Sequence, residues 1–233
     1  MAESRLELLD RIRRLYPVTI APICLGGLKL EFARISEPDR VLDDAVAAED
    51  RRRLSPQAAG DGQPPRVPYW AELWESSLGL GQRLAREKRQ GNVLDLGCGM
   101  GLAGAAAAAM GANVLLADCE ATALLVARFN SWPWRQRVRT RRVNWQTDRL
   151  GEKFDMILGA DILYERAQWE FLDAFWKSAL ADGGSILLGE PGRAKADEFA
   201  VWANECGWKV EESMETVEPG RKSVRIFELR RLV

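Results

Sequence analysis

Residues Val93 to Gly104 read VLDLGCGMGLAG, an apolar strand with Asp95 near its end running straight into Gly97-x-Gly99-x-Gly101. Glycines let the chain turn sharply out of the strand and let its backbone approach a ligand closely. The Ala-rich stretch Leu102 to Met110 that follows has the highest helix propensity in the chain. Its small side chains also suit close packing on a sheet. Strand, glycine turn and helix together leave bare backbone N–H groups at a helix start, where a ligand can meet them.

Two cofactors compete for this turn. Gly99-x-Gly101-x-x-Gly104 also satisfies the nicotinamide or flavin dinucleotide fingerprint, in which glycines hold a pyrophosphate. Asp95, two positions before Gly97, would oppose that pyrophosphate. It suits a ligand with a cationic amine and no phosphate, and S-adenosyl-L-methionine is such a ligand, so that reading is preferred. Asn113 to Ala117 forms a second short apolar strand closed by Asp118, nineteen positions beyond Gly99. A second-strand acid at that distance bonds ribose hydroxyls in such βαβ units. The alternative role for Asp118 is to cap the following helix.

A chain of 233 residues holds one α/β domain plus an N-terminal extension. Its net charge of −1 supplies no global field for nucleic acid or a membrane surface. The four cysteines form no C-x-x-C, which suits reduced thiols in a cytoplasmic protein and argues against a disulfide framework or zinc site. No apolar run reaches about 18 residues, and the opening MAESRLELLDRIRR lacks a signal-peptide core. There is no histidine. Ser-His and Cys-His nucleophilic schemes and imidazole general bases are therefore excluded.

The first 66 residues read as a separate unit: a helix at Leu6–Leu15, a hairpin in Pro17–Ile35 around Gly26-Gly27, and a flexible linker at Ser55–Arg66. Residues 67–233 carry the α/β pattern. An amphipathic helix is expected at Tyr69–Lys88, then strands at Asn92–Leu96, Asn113–Ala117, Val138–Val143 and Phe154–Ala160. A helix at Arg166–Leu180 precedes a fifth strand at Ser185–Gly189. Such alternation implies a mostly parallel, Rossmann-like sheet covered on both faces. Trp208–Ser213 and Ser223–Leu229 follow as two strands joined by the turn Glu218–Arg221, so the sheet ends in an antiparallel hairpin. A nicotinamide domain usually continues its βα alternation, whereas class I methyltransferases end in such a hairpin. Arg135, Arg137, Arg139 and Arg141 alternate with period two along the third strand of this sheet. They read as protection of a sheet edge, with a basic rail for RNA or an acidic partner as the sharper alternative.

The run Phe154 to Tyr164, FDMILGADILY, resembles the fourth strand of the seven-β-strand protein lysine methyltransferases, whose hallmark D-x-x-Y falls on Asp161 to Tyr164. Pro68-Tyr69-Trp70-Ala71 with Trp74, and Gly189-Glu190-Pro191-Gly192-Arg193, are similar to the branch that methylates the β-subunit of electron-transfer flavoprotein. The resemblance covers about residues 66 to 230 and implies a seven-stranded fold with S-adenosyl-L-methionine as cofactor. It implies Trp74 near the methionine end, Gly97, Cys98, Gly99 and Gly101 along the cofactor, and Asp118 on the ribose. Asn144 and Trp145 would flank adenine, and Ala160 would contribute backbone. An indole face is a natural stacking surface, so the residue-level reading of Trp145 agrees, with a core tryptophan as its plain alternative. Two departures stand out: the linker Ser55–Arg66 is long and polar, and little room for a helix lies between the third and fourth strands.

Methyl transfer from a sulfonium needs a neutral amine aligned with the methyl carbon, so the protein has mainly to position and desolvate that amine. Asp161 and Tyr164 lie just past a strand's carboxyl end, where open α/β sheets bind ligands. Asp161 is expected to orient an incoming lysine and accept its proton, and Tyr164 to wall the lysine channel. The expected partner is a protein presenting a lysine, with nucleic acid and membrane disfavoured and a monomer expected. The rival readings are methylation of a small molecule or nucleobase, and a non-catalytic module that retains cofactor binding.

Overall fold

The computed structural model describes residues 3–53, 67–217 and 223–232. The expected linker Ser55–Arg66, the boundary at residue 66 and the turn Glu218–Arg221 lie outside the described residues.

Apolar runs bounded by turns form the strands of a seven-stranded sheet. In chain order these are β3 (Asn92–Leu96), β4 (Asn113–Asp118), β5 (Val138–Arg142), β6 (Phe154–Ala160), β7 (Leu180–Glu190), β8 (Trp208–Thr216) and β9 (Ser223–Arg231). Their spatial order is β5-β4-β3-β6-β7-β9-β8. Strands β3 to β7 run parallel, and β9 pairs antiparallel with both β7 and β8, so the expected terminal hairpin is present. β3 and β6 keep the expected bounds, β5 ends one residue early at Arg142, and the other strands run longer, chiefly β7, which starts at Leu180 rather than Ser185.

The pleat sends alternate side chains to opposite faces. Val93, Val114, Leu116, Met156 and Leu158 meet helices α3 (Glu75–Glu87), α4 (Leu102–Ala109) and α5 (Ala121–Asn130). Leu94, Leu96, Leu115, Ala117 and Ile157 meet α6 (Trp169–Ala179) and α7 (Lys195–Glu205). Residues 143–153 hold no helix, as the short interval required. Order reverses between β3 and β6, and a switch point of this kind opens a crevice at the carboxyl ends of the strands.

The expected helix Tyr69–Lys88 is corrected. Tyr69–Ala71 is a single 3-10 turn, Glu72 has extended backbone, and α3 begins only at Glu75 with Trp74 as its N-cap. The aromatic positions that fitted a helical period instead make a strap across the crevice.

The N-terminal elements are α1 (Arg5–Leu15), β1 (Val18–Leu25), β2 (Leu28–Ile35) and α2 (Pro38–Arg53). Ser4 and Glu7 form a capping box that starts α1. Gly26 and Gly27 both take positive φ, which the two-residue turn of this hairpin requires. Leu8, Ile12, Leu25 and Phe32 join the same core as α3, α4 and α5. The buried Asn130 side chain pairs with both backbone groups of Ala33, at 2.7 and 2.9 Å, and donates to the carbonyl of Met100 at 2.9 Å. One amide thus ties β2 to the glycine turn.

Of the alternating arginines only Arg139 and Arg141 lie on the edge strand β5; Arg135 and Arg137 precede it. Arg137 donates to the Gly111 carbonyl, Arg139 pairs with Glu152, and Arg141 donates to the Leu150 carbonyl. Charges on an edge strand oppose edge-to-edge pairing.

Candidate functional site

The turns after β3, β4, β5 and β6 converge on one cleft of about 340 Å³, within the size range of small-molecule pockets, about 300–1,000 Å³. Trp74, Gly97, Cys98, Gly99, Gly101, Asp118, Asn144, Trp145, Ala160, Asp161 and Tyr164 all line it. Asp95 does not.

Gly97, Gly99 and Gly101 adopt φ of 66, 52 and 81°, the left-handed region that only glycine enters without strain. A Cβ at Gly97 would stand 3.3 Å from the Trp145 ring, and one at Gly101 would stand 2.8 Å from the Ala127 Cβ. The bare backbone therefore both makes the turn and leaves room for an indole above it. Asp118 closes the floor. Its two oxygens accept the N–H groups of Gly99 at 2.8 Å and Glu120 at 2.9 Å. Burial raises its pKa, against those two bonds, which lower it. Each carboxylate oxygen accepts more than one donor, so capacity remains for ribose hydroxyls.

Asp95 has a different place from the one expected. It is buried, and its Oδ2 accepts the N–H of Gly104 at 2.8 Å. Helix α4 has a glycine N-cap with no side-chain bond, so Asp95 satisfies from below one of the orphan donors of its first turn. Its other oxygen has no partner, and burial lifts its pKa to about 7. Direct contact with a ligand amine is replaced by support of the cradle.

Trp145 follows β5, in a turn closed by the Thr147 and Asp148 N–H groups donating to the Asn144 carbonyl. Its Nε1 donates to the Gln168 side chain at 3.2 Å, and the Gln146 amide donates to the same oxygen at 2.8 Å. The sequence reading missed Gln146 and Gln168; no motif marks them. Trp74 is locked by donation from its Nε1 to the Tyr69 carbonyl at 2.8 Å.

At the other end, Tyr164 packs edge-on against Tyr69 with ring centroids 5.3 Å apart. Burial, with the nearby Glu165, pushes its phenol up to about 12, so it stays neutral at working pH. Asp161 is buried in a left-handed conformation, φ 57°, and both its oxygens are held by the Arg193 guanidinium. One guanidinium thus occupies both oxygens, a geometry that fixes the carboxylate in place at the strand end. Arg193 stood within the quoted Gly189–Arg193 motif, but nothing in the sequence assigned it to Asp161.

The lining includes Glu72, Asp118, Glu120, Asp161 and Glu165, and no Lys or Arg. Such a field opposes pyrophosphate and favours cations. The model of the family described as lysine methyltransferase matches residues 70–201. The chain belongs to the lysine methyltransferase family. As a member it is an S-adenosyl-L-methionine-dependent methyltransferase. This methyltransferase is 31% identical over 173 residues to the electron transfer flavoprotein beta subunit lysine methyltransferase of Xenopus laevis, covering 68% of this chain and 69% of that one. The protein of the same name from Danio rerio is 29% identical over 143 residues, covering 58% and 54%. The chain thus spans about two thirds of the frog relative and about half of the zebrafish one. Among solved structures, the glycopeptide N-methyltransferase MtfA complexed with S-adenosyl-L-methionine superposes with a TM-score of 0.60 at 16% identity. That match covers 72% of this chain and all of the other, and supports the fold.

Proposed function

We propose that this methyltransferase transfers the methyl group of S-adenosyl-L-methionine to a lysine side-chain nitrogen of a protein, and that the β-subunit of electron-transfer flavoprotein is its acceptor. The observation that carries this reading is the cleft lined by five carboxylates, of which Asp161 is paired with Arg193 behind it, and by no cationic side chain. A sulfonium, an α-ammonium and an incoming lysine are all cations, and each gains from that field. A dinucleotide or a phosphodiester would be repelled.

The residues present fit the cofactor. Gly97 to Gly101 give it a backbone surface, Asp118 is placed for the ribose, and the Trp145 indole, held by Gln168, supplies the stacking face for adenine. When bound, the cofactor supplies an activated methyl group on a good leaving group. This chain's own residues then hold the amine in line. Tyr69, Trp74 and Tyr164 form aromatic walls around the mouth, a surface that receives a lysine stem and exchanges its water for ring faces. The chain has no histidine and Tyr164 stays protonated, so before methyl transfer the lysine proton leaves to a cleft carboxylate, directly or through water.

Catalysis is assigned to residues 67–233, with residues 1–66 as an extension whose α1, β1 and β2 share a core with α3, α4 and α5. Among the described residues no helix is long and apolar enough to cross a membrane. A cytoplasmic location is proposed from the scattered cysteines, which form no C-x-x-C. A monomer is proposed.

The test is incubation of the purified enzyme and S-adenosyl-L-methionine with the purified flavoprotein β-subunit, free lysine and RNA in separate tubes, read by mass spectrometry. Methyl groups on lysine of the β-subunit alone support the proposal. Methylation confined to RNA or to free lysine refutes it.

A further inference from the structure

Arg193 makes a clamp that the reaction described so far does not use. Glu190 is buried at the end of β7, and its two oxygens accept the N–H groups of Gly192 and Arg193, both at 2.7 Å. Gly192 takes a φ of 96°, so the chain reverses there without strain. This turn sends the Arg193 guanidinium back across the carboxyl end of β6, where its two terminal nitrogens meet the two oxygens of Asp161, one of them at 3.0 Å. The Asp161 N–H meanwhile donates to the Gly189 carbonyl at 2.9 Å. Three hydrogen bonds from one strand end therefore fix one residue on the neighbouring strand end.

Asp161 needs fixing. A non-glycine residue in the left-handed region costs about 1–3 kcal/mol and persists only where its surroundings over-determine it. A half-buried ion pair is itself a weak source of net stability. Strained backbone and a costly charge pair thus coincide at the mouth of the cleft, three residues before Tyr164. Strain of this kind gathers at functional sites because it holds groups where an unstrained chain would not.

We propose that Arg193 is the positioning residue of this enzyme: by gripping Asp161 bidentately it sets the conformation of residues 160–164 and so the lysine-facing wall formed by Tyr164. The activity arm of the test rests on the proposed lysine methylation; the structural arm does not. Lysine cannot replace arginine here, because a single ammonium cannot meet both oxygens in the plane of a carboxylate.

The experiment compares wild type, Arg193→Ala and Arg193→Lys. Hydrogen–deuterium exchange is read over residues 160–166, together with S-adenosyl-L-homocysteine affinity and turnover of the flavoprotein β-subunit. Faster exchange confined to residues 160–166 is expected in both variants. Homocysteine-cofactor affinity should stay within about twofold, while kcat falls about 10- to 100-fold, the scale of a small misplacement of a reacting group. Free guanidinium ion, but not ammonium ion, should restore part of the lost kcat in Arg193→Ala. Unchanged exchange over 160–166 in Arg193→Lys, or kcat within twofold of wild type, would overturn the proposal. If Arg193→Ala unfolds, Arg193→Lys still decides, since it keeps the charge and loses the fork. A wild-type enzyme that leaves the β-subunit unmodified sinks the proposed acceptor, while the exchange comparison continues to report on the clamp.

Discussion

Replacing Asp95 by asparagine should stabilise the free protein at neutral and alkaline pH, although the change removes a charge at the heart of the glycine cradle. The carboxyl is completely enclosed, one of its oxygens has no partner, and its pKa stands at about 7 against 3.8 when exposed. The folded state therefore holds the proton more tightly than the unfolded chain. The contribution of Asp95 to stability is fullest below pH 4, declines as pH rises, and levels off above about pH 7. At about 1.4 kcal/mol per tenfold in proton affinity, that span costs about 4 kcal/mol once the group is ionised. Asparagine keeps the acceptor for the Gly104 N–H and carries no charge. Its amide NH2 falls where the unpartnered oxygen lay, a loss of about 1–3 kcal/mol for an unsatisfied buried donor. The net gain expected at pH 8 is about 2 kcal/mol, or about 4–8 °C in Tm for a domain of this size. Near pH 4 the gain should vanish or reverse. Thermal melts of both proteins from pH 4 to 8 measure this directly. A Tm difference that does not change with pH, or an asparagine variant less stable than wild type at pH 8, would refute the reasoning.

Trp145→Ala should weaken S-adenosyl-L-homocysteine binding by about 1–3 kcal/mol, the worth of one base–aromatic stack, while Trp145→Phe retains most of the affinity; calorimetry separates them. Tyr164→Phe should lower kcat/KM for the protein acceptor without moving the pH–rate profile, because a phenol held at about 12 does not titrate in the working range. A shifted profile would make Tyr164 a proton acceptor. Arg139→Ser with Arg141→Ser should leave kcat/KM within about twofold yet promote self-association at an unguarded sheet edge, which light scattering reports. A tenfold loss of activity there would restore the basic-rail reading.

Much of this molecule could be read from local pattern, because the features concerned are local. The glycine turn, the strand alternation and the C-terminal hairpin each depend on residues within a few positions of one another. The site features that escaped are relations between distant segments. Asp161 and Arg193 are 32 positions apart and meet only because β6 and β7 lie side by side. Gln168 reaches Trp145 across 23 positions, and nothing about a lone glutamine announces that. The strap at Tyr69–Trp74 was misread for a different reason. Its aromatic spacing fits a helix as well as a groove lining, and only the cleft beneath it decides between them. Asp95 shows the limit of arguing from charge alone. Its residue type suits a cationic ligand, but the strand's pleat turns it under the cradle, where it supports a helix start instead.

The central claim is that an acid-lined cleft delivers a methyl group to a protein lysine. A lysate from cells lacking this enzyme, incubated with the purified protein and S-adenosyl-L-methionine labelled in its methyl group, tests it most directly. The account predicts label in protein, recovered as methyl-lysine after hydrolysis and abolished by Trp145→Ala at limiting cofactor. Label recovered only in RNA or small molecules would contradict it.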